Sequence, residues 1–379
     1  MNKVYVQLCS TKQSGKVINM KKNFLALICL FFSVLLLATG CGSKKSKYTK
    51  YSATVFDCFN TVTTFTAYTE TEEEFNQYYQ YFQERFEYLH QLYDIYNSYE
   101  GINNLKTIND NAGIKPVKVE QEIIDLILFA KEWYAKTGGK TNIAMGAVLK
   151  IWHDYRTEGI DFPQEAKLPP QELLAKAAKH IDLDKVIVNE EEKTVFLADP
   201  EMSLDVGAVA KGFATEIVIK ELQAKGLTSG VIDAGGNIRT IGKPGNGERQ
   251  FWSVGIQDPD GSIFSNTDII DVAYVENASV VSSGDYQRYY FVDGKLYHHI
   301  IDPETLMPGT YYRAVTVITE DSGVADFLST TLFLLPFDQA LPLAESLEDV
   351  EALWIMHDGS IKKTSGMKKI LKSEGAKNR

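Results

Sequence analysis

Lys21 and Lys22 introduce a nearly unbroken apolar run, Phe24 to Ala38, that is shorter than the roughly 20 residues a bilayer-spanning helix needs. A basic start, a short apolar stretch and small residues at its end describe a secretory signal, not an element that packs into a domain. Residues 1–40 are therefore read as address rather than fold. Residues 1–19 are expected to come from an upstream mis-start, since Met20 before two lysines is itself a normal beginning. Whatever folds is built from the remainder, outside the cytoplasm.

The run closes on Leu37-Ala38-Thr39-Gly40-Cys41, which resembles the lipobox of bacterial lipoproteins, with Ala38 where leucine is commoner. Cys41 is the expected lipidation site; an uncleaved anchor is the alternative. Cleavage removes 40 of 379 residues, leaving 339, and takes five lysines but no acid, so the formal charge moves from −11 to −16. So acidic a chain does not suit neutralising a phosphate backbone, and no nucleic-acid partner is expected. Cys9 and Cys29 lie in the signal and Cys41 carries the lipid, so Cys58 stands alone and no disulfide framework is available. Stability then rests on a large hydrophobic core, which a chain of this length can supply.

Residues 41–50 are polar and lysine-rich and read as a tether, followed by a domain over 51–379. Val55 to Tyr68 alternates as an edge or hairpin strand does. Glu72 to Tyr93 repeats its apolar residues near a 3.6 period, and Glu120 to Lys136 gives another amphipathic helix stopped by Gly138-Gly139. Pro163 to Pro170 is a loop, Gln171 to His180 a short helix, and Lys185 to Leu197 a hairpin around Asn189 to Glu192. Ala208 to Lys225 is helical up to Gly226, strands alternate with turns from Gly230 to Ile318, and a last long helix spans Val324 to Leu335. Strands and helices do not alternate one for one, so the fold class is α+β, with mainly antiparallel sheets flanked by helices.

Several chemistries are absent from the sequence. It has no P-loop, no glycine-rich dinucleotide fingerprint, no zinc-protease histidine pair and no glycine-flanked nucleophilic serine. What remains are small-residue and carboxylate clusters. Ser203 to Gly212 joins a strand to a helix through small residues, with Lys211 in the first turn; it suits a phosphate, or is a plain strand-to-helix turn. Asp233-Ala234-Gly235-Gly236-Asn237 lets a ligand lie against backbone, or is an ordinary hairpin turn. Ser282 to Tyr286 and His298 to Pro303 flank two strands turning at Asp293-Gly294, and His299 is there a general base or a turn cap. Asp326 and Thr330, four apart, stack on one helix face as two oxygen ligands for a hard cation, unless Asp326 merely answers the helix dipole.

Taken in order, these blocks resemble the ApbE family of FAD:protein FMN transferases. The resemblance runs from about Val55 to Leu335. It takes in the threonine-rich opening around Phe59-Asn60-Thr61, Asn142-Ile143-Ala144-Met145-Gly146, the Asp205 to Gly212 turn, the double-glycine turn, Ser283-Gly284-Asp285-Tyr286, the HHIIDP run and Ala325 to Thr330. It departs from the family at Phe59-Asn60, where methionine-glycine is commoner, and at Asn142, where aspartate is. The resemblance implies a T-fold-like architecture, with Mg2+ held by Asp326, Thr330 and the Ala208 carbonyl. It further implies FAD, as substrate, contacted by Phe59, Asn142, Ile143, Ala144, Asp205, Lys211 and Ile300, and His299 and Asp326 as the catalytic pair.

The implied reaction is Mg2+-dependent transfer of FMN to a threonine or serine hydroxyl of a protein, releasing AMP. The implied partners are extracytoplasmic, membrane-associated redox proteins carrying a flavinylation motif, reached from the lipid anchor. With water as nucleophile the same site is an FAD pyrophosphatase, and without turnover it is a flavin- or solute-binding lipoprotein.

Overall fold

The computed structural model describes residues 46–261 and 268–378. The expected signal, the expected lipidation site Cys41 and residues 41–45 of the expected tether lie outside the described residues. Strand β1, Thr49–Cys58, already includes the end of the expected tether, because Thr49 and Lys50 pair with Thr69 and Tyr68 of β2, Thr61–Thr69. The single strand expected over Val55 to Tyr68 is thus two. Phe59 and Asn60 between them both hold left-handed backbone, φ 54° and 53°, the geometry of a two-residue hairpin turn whose twist matches its strands.

Helix α1, Glu72–Tyr93, has the expected bounds; Thr71 caps it by accepting from the Glu74 amide, and three glutamates fill its first turn. The chain continues through α2, Leu105–Asp110, strand β3, Val117–Lys118, and α3, Gln121–Lys136. Helix α4, Gly146–Asp161, follows directly on the Asn142 to Gly146 block, and α5 spans Gln171–Ala177. The hairpin of β4, Val186–Asn189, and β5, Thr194–Leu197, pairs with β3 and precedes α6, Ala210–Ala224.

Next come β6, Gly230–Ala234, β7, Asn237–Ile241, β8, Trp252–Gln257, β9, Ile269–Val275, and β10, Ser279–Gly284. The β11–β12 hairpin, Tyr289–Val292 and Lys295–His298, turns at Asp293-Gly294 as expected. Strand β13, Ala314–Thr319, leads into α7, Ser322–Leu334. The chain then adds helix α8, Phe337–Ser346, with Pro342 inside it, and strands β14, Glu351–Ile355, and β15, Ile361–Lys363.

Eight strands form one sheet in the order β1-β2-β6-β7-β10-β13-β14-β15, every neighbour antiparallel. Both of its faces are covered, as β13 shows. Val315 and Val317 pack with Leu328 and Leu332 of α7, whereas Ala314 and Ile318 point the other way, to Val254, Ile256 and Ala273 of the β8–β9 hairpin. At the other end Phe65 stacks on Phe75 and Phe82 of α1 at 5.7 and 5.1 Å. No helix among the described residues is long and apolar enough to cross a membrane.

Candidate active site

Helix α6 starts without a side-chain cap, because Val209 at its N-cap has no polar atom to offer. A neighbouring helix supplies the acceptor. Asp326, in the second turn of α7 and 6% exposed, accepts the Gly212 amide on Oδ2 at 2.8 Å, and its Oδ1 lies 3.5 Å from Lys211 Nζ. The helices approach this closely because residue 212 is glycine: a Cβ there would sit 2.2 Å from the Ser322 carbonyl oxygen and 2.5 Å from Asp326 Cβ. Thr330 lies one turn beyond Asp326 on the same face, with its hydroxyl 3.4 Å from Ser283 Oγ, which also bonds Ser329 Oγ at 2.8 Å. Ser283 thus joins β10 to this spot. Asp233 is close enough to feel Lys211; burial pushes its carboxyl up, opposed by the Gly236 amide and the Lys211 charge.

This donor set fits a hard cation. It offers one buried carboxylate and a hydroxyl on one helix face, and a backbone carbonyl at Ala208 to which nothing among the described residues donates. The three donors are all oxygens, the kind hard cations take. Mg2+ needs few protein ligands and takes the rest from water and phosphate oxygens.

The Asp205 loop is braced from two sides. Asn109 receives the Leu204 amide at 2.7 Å and donates to its carbonyl at 3.0 Å, and the Asp205 amide donates to the Ile143 carbonyl at 2.8 Å. Burial raises the Asp205 carboxyl, against the Gly207 amide and the charges of His153, Arg288 and Arg156.

His299 follows directly on β12. Its ring is pulled down to about 3 by burial and by the charges of Arg288, His298 and Arg156, and its Nδ1 is buried without a partner. The neighbouring His298 has a structural job, bonding the Gly309 carbonyl through Nε2 and receiving the Ile300 amide on Nδ1. Asp302 anchors the turn that follows, receiving the Glu304 amide and pairing with Lys140.

The other expected flavin contacts are placed as follows. Ile143, Ala144 and Ile300 are buried, so the first two offer a ligand little beyond backbone. Asn142 is occupied within the chain, receiving the Ala144 amide and donating to the Ile181 carbonyl. Phe59 lies half-buried on α1, its ring 5.0 Å from Phe86 and 6.4 Å from Tyr93, which in turn meets Phe213 of α6.

Residues 59–354 match the model of the ApbE family. This chain belongs to the ApbE family. A FAD:protein FMN transferase of Treponema pallidum is 34% identical over 275 residues, 69% of this chain and 73% of the relative. Another, of Klebsiella pneumoniae, is 31% identical over 256 residues, 67% and 75% of the two chains. Among solved structures, the ApbE protein of Thermotoga maritima superposes with a TM-score of 0.73 at 26% identity, covering 84% of this chain and 98% of its own. The flavinyl transferase ApbE of Pseudomonas stutzeri, at 20% identity and a TM-score of 0.68 over 86% and 98%, shares the fold.

Within this ApbE-family site the structure adds residues that sequence reading passed over. Arg156 and His153 sit on α4, the guanidinium Nη2 3.1 Å from His153 Nδ1, and Tyr96 lies over His153 with ring centroids 5.6 Å apart. Arg288 opens β11. The one available signal was periodicity: His153 and Arg156 are three apart, one turn of a helix that was not expected there.

Proposed function

We propose that this chain transfers the FMN moiety of FAD to a threonine or serine hydroxyl of a partner protein, forming a phosphoester and releasing AMP. The observation that carries the reading is Asp326, a buried carboxylate tied to the start of α6 beside Lys211, in a chain of the ApbE family. Asp326, Thr330 and the Ala208 carbonyl would hold Mg2+. When bound, the ion supplies neutralising charge for the phosphates and for the departing AMP.

The chain's own groups account for the other requirements. Lys211 and the positive end of the α6 dipole attract the pyrophosphate. His299, kept neutral, offers the Nδ1 lone pair to the proton of the acceptor hydroxyl. The hydroxyl oxygen bonds to the FMN phosphorus, the bond from that phosphorus to the oxygen bridging to AMP breaks, and its electron pair leaves on AMP. Braced loops at Asp205 and Asp302 hold both sides of the reaction in place, and positioning supplies much of the rate.

The signal-like run from Lys21 to Cys41 supports a reaction outside the cytoplasm on a lipid anchor, where a shared surface would raise the effective concentration of membrane-associated redox partners carrying a flavinylation motif. The test is to follow nucleotides from FAD and Mg2+ with and without an acceptor segment. AMP release that depends on the acceptor supports transfer. Equal AMP and free FMN without it indicates a pyrophosphatase, and intact FAD a binding protein.

A further inference from the structure

Arg288 and Arg156 converge on His299 from two different elements. In the β11–β12 hairpin Tyr289 pairs with His298 and Tyr290 with Tyr297, so the next position outward sets Arg288 opposite His299. Directly opposed residues share a face, and residues two apart on a strand do as well. Arg288, Tyr290, Tyr297 and His299 therefore lie on one side of the hairpin. That side meets α4: Tyr290 packs so closely on Gly159 that a Cβ there would be 2.6 Å from its ring. Arg156 is one turn before Gly159 on α4, and its charge is felt by Tyr290, His299 and Asp205.

Neither arginine forms an ion pair among the described residues, although the chain has 50 acidic residues against 39 basic ones. Asp205, the nearby carboxylate, is not paired with them; its Oδ1 is taken by the Gly207 amide at 2.9 Å. Arg288 is exposed, Arg156 half-buried, and the His299 Nδ1 is buried and unpartnered. Two unneutralised guanidinium groups brought together near a neutral imidazole repel one another unless an anion joins them.

We propose that Arg156 and Arg288 form a two-armed anion site that grips the FMN phosphoryl group while it passes from AMP to the acceptor hydroxyl. The assignment rests on the flavin-transfer reading above. The group that takes the hydroxyl proton must touch the attacking oxygen, so the phosphorus being attacked lies beside His299. Charge in such a transfer is spread over the non-bridging phosphoryl oxygens, and a guanidinium fork matches two of them at once. Lys211 and Asp326 serve the other end of the 205–212 segment. The arginines make and break no covalent bond.

The test compares binding of FMN and of riboflavin, which lacks the phosphate, to the purified protein, read by quenching of flavin fluorescence. Arg288→Gln and Arg156→Gln should each weaken FMN roughly 10- to 100-fold, the loss of a charge-assisted bond, and leave riboflavin unchanged. In the transfer assay kcat should fall on the order of 10³-fold. Arg288→Lys, with charge but no fork, should recover only part of both. Retained riboflavin binding reports an intact fold, and the exposed Arg288 carries the test if Arg156→Gln is damaged. Unchanged FMN affinity in Arg288→Gln overturns the proposal, and a raised KM for the acceptor alone would assign the pair to an acceptor carboxylate instead. A wild-type protein that binds neither flavin contradicts the flavin-transfer reading itself, and this assignment falls with it.

Discussion

Asp326 divides its carboxylate between two neighbours on α6: Oδ2 takes the Gly212 amide at 2.8 Å and Oδ1 faces Lys211 Nζ at 3.5 Å. One oxygen closes a helix end and the other serves the site. Structure and chemistry are therefore separable here. Asp326→Asn keeps an acceptor for Gly212 but loses the charge, so transfer should fall by about 10²–10³ with stability nearly unchanged. Asp326→Ala removes both and strands the buried amide, adding a stability loss of about 1–3 kcal/mol. Urea unfolding beside the transfer rate checks the pair; equal stability of the two variants would contradict the capping role.

Gly212→Ala tests the approach of the helices. The added methyl would meet the Ser322 carbonyl and Asp326 Cβ, so α6 and α7 must part. Overpacking of this kind costs about 1–3 kcal/mol. Because the displaced residue is Asp326, activity should fall further than stability implies, measured as kcat at a temperature where the variant is fully folded.

Behind the site, Arg239 and Glu216 form a buried pair at 2.9 Å, with side chains 2% and 6% exposed, and Glu216 also receives the Ser322 amide that begins α7. Arg239→Met removes the buried carboxylate's main counter-charge and should cost about 3–5 kcal/mol. Burial pushes Glu216 up, but Arg239, the Ser322 amide and Lys220 outweigh it and hold the carboxyl below its ordinary value. A depressed carboxyl stabilises the fold above its unfolded pKa, and that contribution is lost as pH falls through the folded value. The Arg239→Met penalty, read from denaturant midpoints, should therefore shrink toward acid pH.

His299 makes a second pH prediction. With its folded pKa near 3 and an unfolded value of about 6.5, the unfolded chain binds a proton between those limits that the native chain refuses. Its contribution is complete above the upper limit and declines as pH falls toward the lower. For catalysis, the free enzyme holds His299 neutral throughout that window. The kcat/KM profile should show no acid-side break near pH 6.5 from this residue, and Arg288→Gln should move its break upward. A break near 6.5 that disappears in His299→Gln would contradict this.

The long helices were legible because their apolar period is unbroken: α1 spans Glu72–Tyr93 as read, and α7, expected over Val324 to Leu335, spans Ser322–Leu334. The β1–β2 turn was missed because phenylalanine is an unusual residue for left-handed backbone, so Phe59-Asn60 gave no glycine signal. Helix α8 was hidden by Pro342 inside it, and α4 by a sequence block read for its ligand instead of its period. At the site, Asp326 and Thr330 could be joined from spacing alone. The meeting of Arg156, Arg288 and His299 depends on hairpin register and on Tyr290 seating against Gly159, neither of which spacing records.

The most direct measurement is the intact mass of a threonine-containing acceptor segment incubated with this protein and FAD, with Mg2+ or with chelator. The segment should gain one FMN at a hydroxyl, with one AMP released per modification, and chelation should stop both. An unmodified segment beside accumulating free FMN and AMP, or modification that persists without the metal, would contradict metal-dependent transfer.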